Sequence, residues 1–194
     1  MSHLFVLPII SLLKAGSIQR DEHGNILDAR SSVTLVVSGS RAIIVDTGLK
    51  GEAELLIDAL ALRGLAPSDI EMIVNTHSHP DHTGNNFLFD YADFLIPKEG
   101  EVIAPRVTAM ETPGHSLDSI SVLVKAEKIV VIAGDALPTL NNFLKNVPPA
   151  LHIDRDLSIS SMHRIISSAE IVIPGHDYPF SVSEGRYIEW PNQI

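Results

Sequence analysis

Apolar positions along this chain come in short runs separated by turn residues, and the period of the runs changes twice. Residues 4–13 are apolar, with breaks at Pro8 and Ser11, and are too short for a membrane-spanning helix, which needs about 20 apolar residues. They are read as a buried first strand. Residues 33–38 are rich in β-branched side chains, Gly39 and Ser40 supply a turn, and 42–45 are apolar again, a pattern that predicts a hairpin. Across 50–63 the period becomes helical. Leu56, Ala59, Leu60 and Arg63 share one stripe, Glu54 and Asp58 lie on a polar face, and Gly64 is placed to end the helix. After a turn at Pro67-Ser68-Asp69, residues 71–75 read as a buried strand that runs into a histidine-rich stretch. Further strands are expected at 93–96, 107–111, 120–125 and 128–133, with Ala126-Glu127 turning between the last two. Residues 137–153 hold three prolines and two adjacent asparagines, which predicts an irregular loop. Asp156 is expected to cap a helix over 157–168, with Ile159, Met162, Ile166 and Ala169 turned inward. A last strand covers 171–173. Such an order predicts an α/β protein, two packed sheets with helices outside, as one domain over residues 1–194.

Composition narrows the chemistry. The 194 residues carry 14 basic and 24 acidic side chains, a net charge of −10. Such a surface repels phosphate backbones at long range and lacks a basic run to offset that, although it does not exclude nucleic acid. The chain has no cysteine, which removes disulfides, thiolate ligands and a cysteine nucleophile. Any metal must be held by His, Asp or Glu. Without a positively charged leader or a cleavage site, the expected location is the cytoplasm.

The chemical signal is His77-Ser78-His79-Pro80-Asp81-His82, directly after the strand at 71–75. Two histidines at i and i+2 on extended backbone point the same way and can reach one metal. Asp81 and His82 fall where the chain turns and can face a second metal, and Thr83-Gly84 is placed to let a helix begin. Three later elements repeat one plan, in which an apolar strand meets a glycine and then one ligand-type side chain: Thr112-Pro113-Gly114-His115, Ala133-Gly134-Asp135 and Pro174-Gly175-His176. Imidazole suits zinc, and carboxylate oxygen extends the choice to iron and manganese.

The ordered set His77, His79, Asp81, His82, His115, Asp135 and His176 resembles the metallo-β-lactamase superfamily, and Asp46-Thr47-Gly48 matches its N-terminal signature. The resemblance covers residues from about 33 to 180. It implies a four-layer αβ/βα sandwich with the metals at one edge. It also implies that His77, His79 and His115 bind one metal, that Asp81, His82 and His176 bind the other, and that Asp135 bridges. Within the superfamily, the stretch 169–176, followed by Pro179-Phe180-Ser181-Val182, is similar to the group called metallo-β-lactamase domain-containing protein 1. Class B β-lactamases lack an aspartate at the position of Asp135. Glyoxalase II adds a C-terminal helical domain, whereas 18 residues follow His176 here. Both branches are therefore disfavoured.

The implied activity is that of a hydrolase in which a hydroxide bridging two divalent metals, zinc first among them, attacks an ester, thioester, lactone or phosphodiester. A ribonuclease-type phosphodiesterase and a persulfide dioxygenase with one iron are the alternatives. Asp81 is expected to orient the nucleophile, and Asp46 to support a ligating imidazole from behind or to serve as a turn residue. Tyr178 is expected either to meet substrate or to pack. The expected partner is a small molecule rather than a membrane. The apolar part of the 137–153 loop is either a pocket wall or a contact in a homodimer.

Overall fold

Side-chain alternation along the strands decides which residues meet. A computed structural model describes residues 6–190. Its strands are β1 (Ile9–Lys14), β2 (Ser17–Arg20), β3 (Ile26–Arg30), β4 (Val33–Ser38), β5 (Arg41–Val45), β6 (Met72–Val74), β7 (Asp93–Leu95), β8 (Val102–Ala104), β9 (Val107–Glu111), β10 (Ile120–Lys125), β11 (Ile129–Gly134), β12 (Ile171–Pro174), β13 (Phe180–Ser181) and β14 (Arg186–Tyr187). Its helices are α1 (Ala53–Ala61), α2 (Pro80–Thr83), α3 (Leu140–Lys145) and α4 (Arg155–Ser168). One sheet runs β1-β4-β5-β6-β7, the other β14-β13-β12-β11-β10-β9-β8, and β2-β3 form a separate hairpin.

Between the sheets, Val36, Ile43, Val45 and Val74 pack against Val122, Val124, Val130, Ile132 and Ile173. The residues one step along point the other way. Leu35, Ile44 and Ile73 meet Leu56, Ala59 and Leu60 of α1, while Val131, Ala133 and Val172 meet Met162 and Ile165 of α4. Period-2 alternation thus gives each sheet two buried faces, and the α1–sheet–sheet–α4 order is the expected four-layer αβ/βα sandwich.

The structure corrects several boundaries. Apolar residues 4 and 5 lie outside the described residues, and β1 begins only at Ile9, after the exposed Val6. Helix α1 is shorter than expected, though Gly64 takes the left-handed φ of +71° that ends its run. Residues 137–153 are not wholly irregular: Thr139 caps α3 by accepting from the Asn142 N–H, so a helix forms inside the loop. Asp154, not Asp156, caps α4, because its side chain accepts from Leu157 N–H at 2.9 Å while Asp156 is exposed in the first turn. No helix begins at Thr83-Gly84. Pro80 instead opens α2, which ends there and carries Asp81 and His82. The hairpin β2-β3 and the short β8, β13 and β14 were not expected: β2, β3 and β14 bury little, and β8 and β13, though buried, are too short to show a period.

Candidate metal centre and active-site cleft

Strand direction brings the motifs together. β6 runs parallel to β5, and β11 parallel to β12. β9 and β11 are both antiparallel to β10, so they too share a direction. The C-terminal ends of these strands deliver Asp46, His77, His115, Asp135 and His176 to one edge of the sandwich, where ligand sites of layered α/β folds gather. Two glycines allow the close approach. A Cβ on Gly134, which has φ of +51°, would overlap the Thr76 side chain, and one on Gly175 would overlap the Asp135 carboxylate.

All seven expected ligand-type side chains meet. The ligand-type atoms of His77, His79 and His115 lie within 4.8 Å of one another, as do those of Asp81, His82 and His176, and those of His77, His82 and Asp135. Asp135 sits between the two trios. Its Oδ2 is 3.4 Å from His115 Nε2 and 3.2 Å from His176 Nε2, and its Oδ1 is 3.3 Å from His82 Nε2 and 3.0 Å from His176 Nε2. Asp81 Oδ2 lies 3.5 Å from His176 Nε2 and 3.8 Å from His82 Nε2.

The imidazoles are oriented from behind. His82 Nδ1–H donates to Asp46 Oδ2 at 2.8 Å, His115 Nδ1–H to the Leu151 carbonyl at 2.7 Å, and His176 Nδ1–H to the Arg30 carbonyl at 3.0 Å. Each acceptor commits Nδ1 to carrying the proton, which turns Nε2 toward the cluster. Asp46 adopts φ of +58°, a conformation that aspartate tolerates better than most residues. There its carboxylate also accepts from Thr76 N–H at 2.7 Å and Thr76 Oγ1–H at 2.8 Å. Thr47 N–H donates to the His82 carbonyl at 2.7 Å and so anchors α2 to the same loop.

The electrostatics fit a cation. Burial and the facing His82 ring push His77 down to about 2, so it is a neutral imidazole. Burial opposes charge on His82 and His176 as well, yet the carboxylates overcome it, Asp46 and Asp135 for His82 and Asp135 for His176, and both are raised. Burial would raise Asp135, but these two rings hold it well below the usual carboxylate range. The raised rings and the lowered carboxylate mark the cluster as a place that favours positive charge beside Asp135, which a divalent cation would supply. His77 Nε2, His82 Nε2 and Asp135 Oδ1 are buried without a hydrogen-bond partner among the described residues. His82 Nε2 and Asp135 Oδ1 are close but not aligned for such a bond. Unpaired donors and acceptors converging in this way are what a metal ion would satisfy.

Comparison with known proteins agrees. Residues 28–95 match the family model of the metallo-beta-lactamase superfamily. A "probable metallo-hydrolase" of Methanocaldococcus jannaschii is 38% identical over 180 residues, covering 87% of both proteins. Metallo-beta-lactamase domain-containing protein 1 of Xenopus laevis is 31% identical over 183 residues, which cover 84% of this chain and 77% of that protein. The chain belongs to the metallo-β-lactamase superfamily. It is a hydrolase of that type, and its His/Asp cluster fits a metal site. A solved N-acyl homoserine lactone hydrolase, with the product N-hexanoyl-L-homoserine bound at its catalytic metal centre, shares the fold with a TM-score of 0.70. That match is at 22% identity and covers 89% of this chain and 94% of the other.

In this metallo-β-lactamase-type hydrolase the cluster lies on the floor of a cleft of about 360 Å³. The hairpin contributes Ile18, Ile26 and Ala29 to its walls, and the loop after α3 contributes Pro149, Ala150 and Leu151. The latter loop is therefore a pocket wall, one of its two expected roles. Tyr178 stands outside this cleft, lining an adjoining chamber with its ring edge-on to Tyr187 at 6.3 Å. Sequence reasoning missed Asp118. Its carboxylate accepts from Ser78 N–H at 3.0 Å and Ser116 Oγ–H at 2.6 Å, clamping the His77–His79 segment to the His115 loop. It also missed the Arg30 and Leu151 carbonyls, since a backbone acceptor leaves no trace in side-chain pattern. Among the described residues no helix is long and apolar enough to cross a membrane.

Proposed function

We propose that this chain, read as one metallo-β-lactamase-type unit, hydrolyses a small ester, thioester or lactone with two divalent cations, zinc in the first instance. The observation that carries this reading is Asp135. One of its oxygens faces His115 of the first trio, the other faces His82 of the second, and His176 lies within reach of both, at the floor of an apolar cleft. His77, His79 and His115 would hold one cation, Asp81, His82 and His176 the second, and Asp135 would span both. Bound there, the cations supply Lewis acidity toward the substrate oxygen and lower the pKa of water from about 15.7 to about 7.

The residues of the chain supply the rest. Asp81 is one-fifth exposed and lines the cleft, so it is placed to orient the attacking water and take its proton. Asp46 holds the His82 ring in one orientation. Ile18, Ile26 and Leu151 exclude water from the reacting group and favour an apolar acyl portion. Tyr178 faces whatever part of the substrate reaches the adjoining chamber. The structurally similar lactone hydrolase binds its product at a metal centre, which supports a small carbonyl substrate, and the net charge of −10 disfavours a long polyanion.

The test is elemental analysis of protein purified without chelator, then kcat/KM on esters, thioesters, lactones and RNA with one preparation. About two metals per chain and a preference for carboxylic substrates are expected. A preference for RNA that His79→Ala abolishes would replace this reading with a phosphodiesterase. One iron per chain without hydrolysis would replace it with the dioxygenase class.

A further inference from the structure

We propose that the substrate carries a second, anionic group, a carboxylate or phosphate, which is held by Arg20 and Lys145 in the chamber beside the metal cluster. The proposal rests on the hydrolase reading above and narrows its substrate class.

The chamber, about 570 Å³, shares Ile18, Arg20, Pro138, Ala150 and His176 with the catalytic cleft. A molecule that reaches His176 can therefore extend into it without crossing protein. The lining changes on the way, from the aliphatic Ile18 and Ala150 to Arg20 at the end of β2, Lys145 at the end of α3, and the amide of Asn141. In a chain of net charge −10, most surface positions repel anions.

No carboxylate among the described residues forms an ion pair with Arg20 or Lys145, so the charge each brings to the chamber wall is not offset by direct contact. Arg20 Nη1 donates to the neutral Gly24 carbonyl at 2.9 Å, which steadies the guanidinium without neutralising it. One carboxylate, Asp177, also lines the chamber. Its hydrogen bonds from Leu140 N–H at 3.1 Å, Tyr187 Oη–H at 2.8 Å and Tyr178 N–H at 2.9 Å hold it in place without neutralising it, so the chamber lining carries two positive charges against one negative. Two unpaired cations on different elements, joined to the reacting centre by an apolar passage, match a substrate with a hydrolysable carbonyl at one end and a charge at the other.

The experiment compares two aryl esters on the metal-loaded full chain. Each has a six-carbon acyl group, ending in a methyl (hexanoate) or a carboxylate (the adipate monoester). Calorimetric affinities for hexanoate and adipate give a readout independent of turnover. The anionic member should show a KM or Kd lower by about five- to tenfold, the range expected for two partly exposed ion pairs. The advantage should shrink as salt rises from about 50 to about 500 mM. In the Arg20→Gln/Lys145→Gln variant the ratio between the two ligands should fall to within about twofold. Lys128→Gln, which removes a charge outside both chambers, should leave the ratio as it is. Equal affinity for the two ligands, or a ratio unchanged in the double variant, would overturn the proposal. If neither ester is cleaved but adipate still binds more tightly through Arg20 and Lys145, the hydrolase reading fails and the anion site stands.

Discussion

Asp46→Asn tests the architecture behind the metal centre with little change of shape. Asp46 is 2% exposed, and its Oδ2 accepts from both Thr76 Oγ1–H and His82 Nδ1–H. Asparagine tolerates the same left-handed backbone, so the loop can keep its path. Its single carbonyl oxygen cannot replace both carboxylate oxygens. With that oxygen toward Thr76 N–H, the amide NH2 meets the His82 N–H, donor against donor. The ring then gains by moving its proton to Nε2, the nitrogen that must be bare to hold a cation. Losing such a supporting partner weakens metal binding about 10- to 100-fold. At a metal concentration of about 100 times Kd, binding stabilises the native state by about 2.7 kcal/mol, and a hundredfold weaker site leaves about 0.4 kcal/mol. The lost stabilisation of about 2.3 kcal/mol corresponds to about 5–9 °C in a chain of this size. The assay is thermal unfolding of wild type and variant, with and without zinc, alongside chelator competition for Kd. The metal-induced rise in Tm cancels any effect of the substitution on the metal-free fold. An Asp46→Asn protein with wild-type Kd and an undiminished metal-induced rise would refute the tautomer argument.

Three further outcomes are expected. Asp135→Ala should hold at most one metal per chain by elemental analysis and lose nearly all turnover while its circular dichroism stays native. Gly175→Ala should lose metal affinity for a steric reason, because the added Cβ overlaps the Asp135 carboxylate, whereas Gly24→Ala, strained by its φ of +86° but with no atom against the new Cβ, should lower stability and leave the Kd for zinc of the folded protein unchanged. Leu60→Ala removes a fully buried side chain between α1 and its sheet and should cost about 2–5 kcal/mol in denaturant unfolding, with metal content at saturating zinc preserved.

What the sequence determined by itself is whatever is local. The β-branched and apolar runs at 33–38, 42–45, 128–133 and 171–173 marked strands, because extended backbone buried on both faces needs an unbroken apolar run. The span from His77 to His82 declared a metal site because four ligand-type side chains within six residues are neighbours in any fold. The strand-glycine-ligand plan at His115, Asp135 and His176 showed which residues take part, though it was the family resemblance, not the spacing, that grouped them.

Tertiary structure alone decided the rest. Only the shared direction of β9, β11 and β12 brings residues from 33 to 94 positions beyond His82 to one edge. The helix α3 was hidden because Pro138, Pro148 and Pro149 flank it and argue for a loop. The hairpin β2-β3 was invisible because most of its residues are exposed. With little to bury, they show no period, and yet they supply the cleft wall, the Arg20 cation and the Arg30 carbonyl behind His176. Hydrophobic pattern records what a chain must hide from water, and a substrate site is built largely from what it leaves exposed.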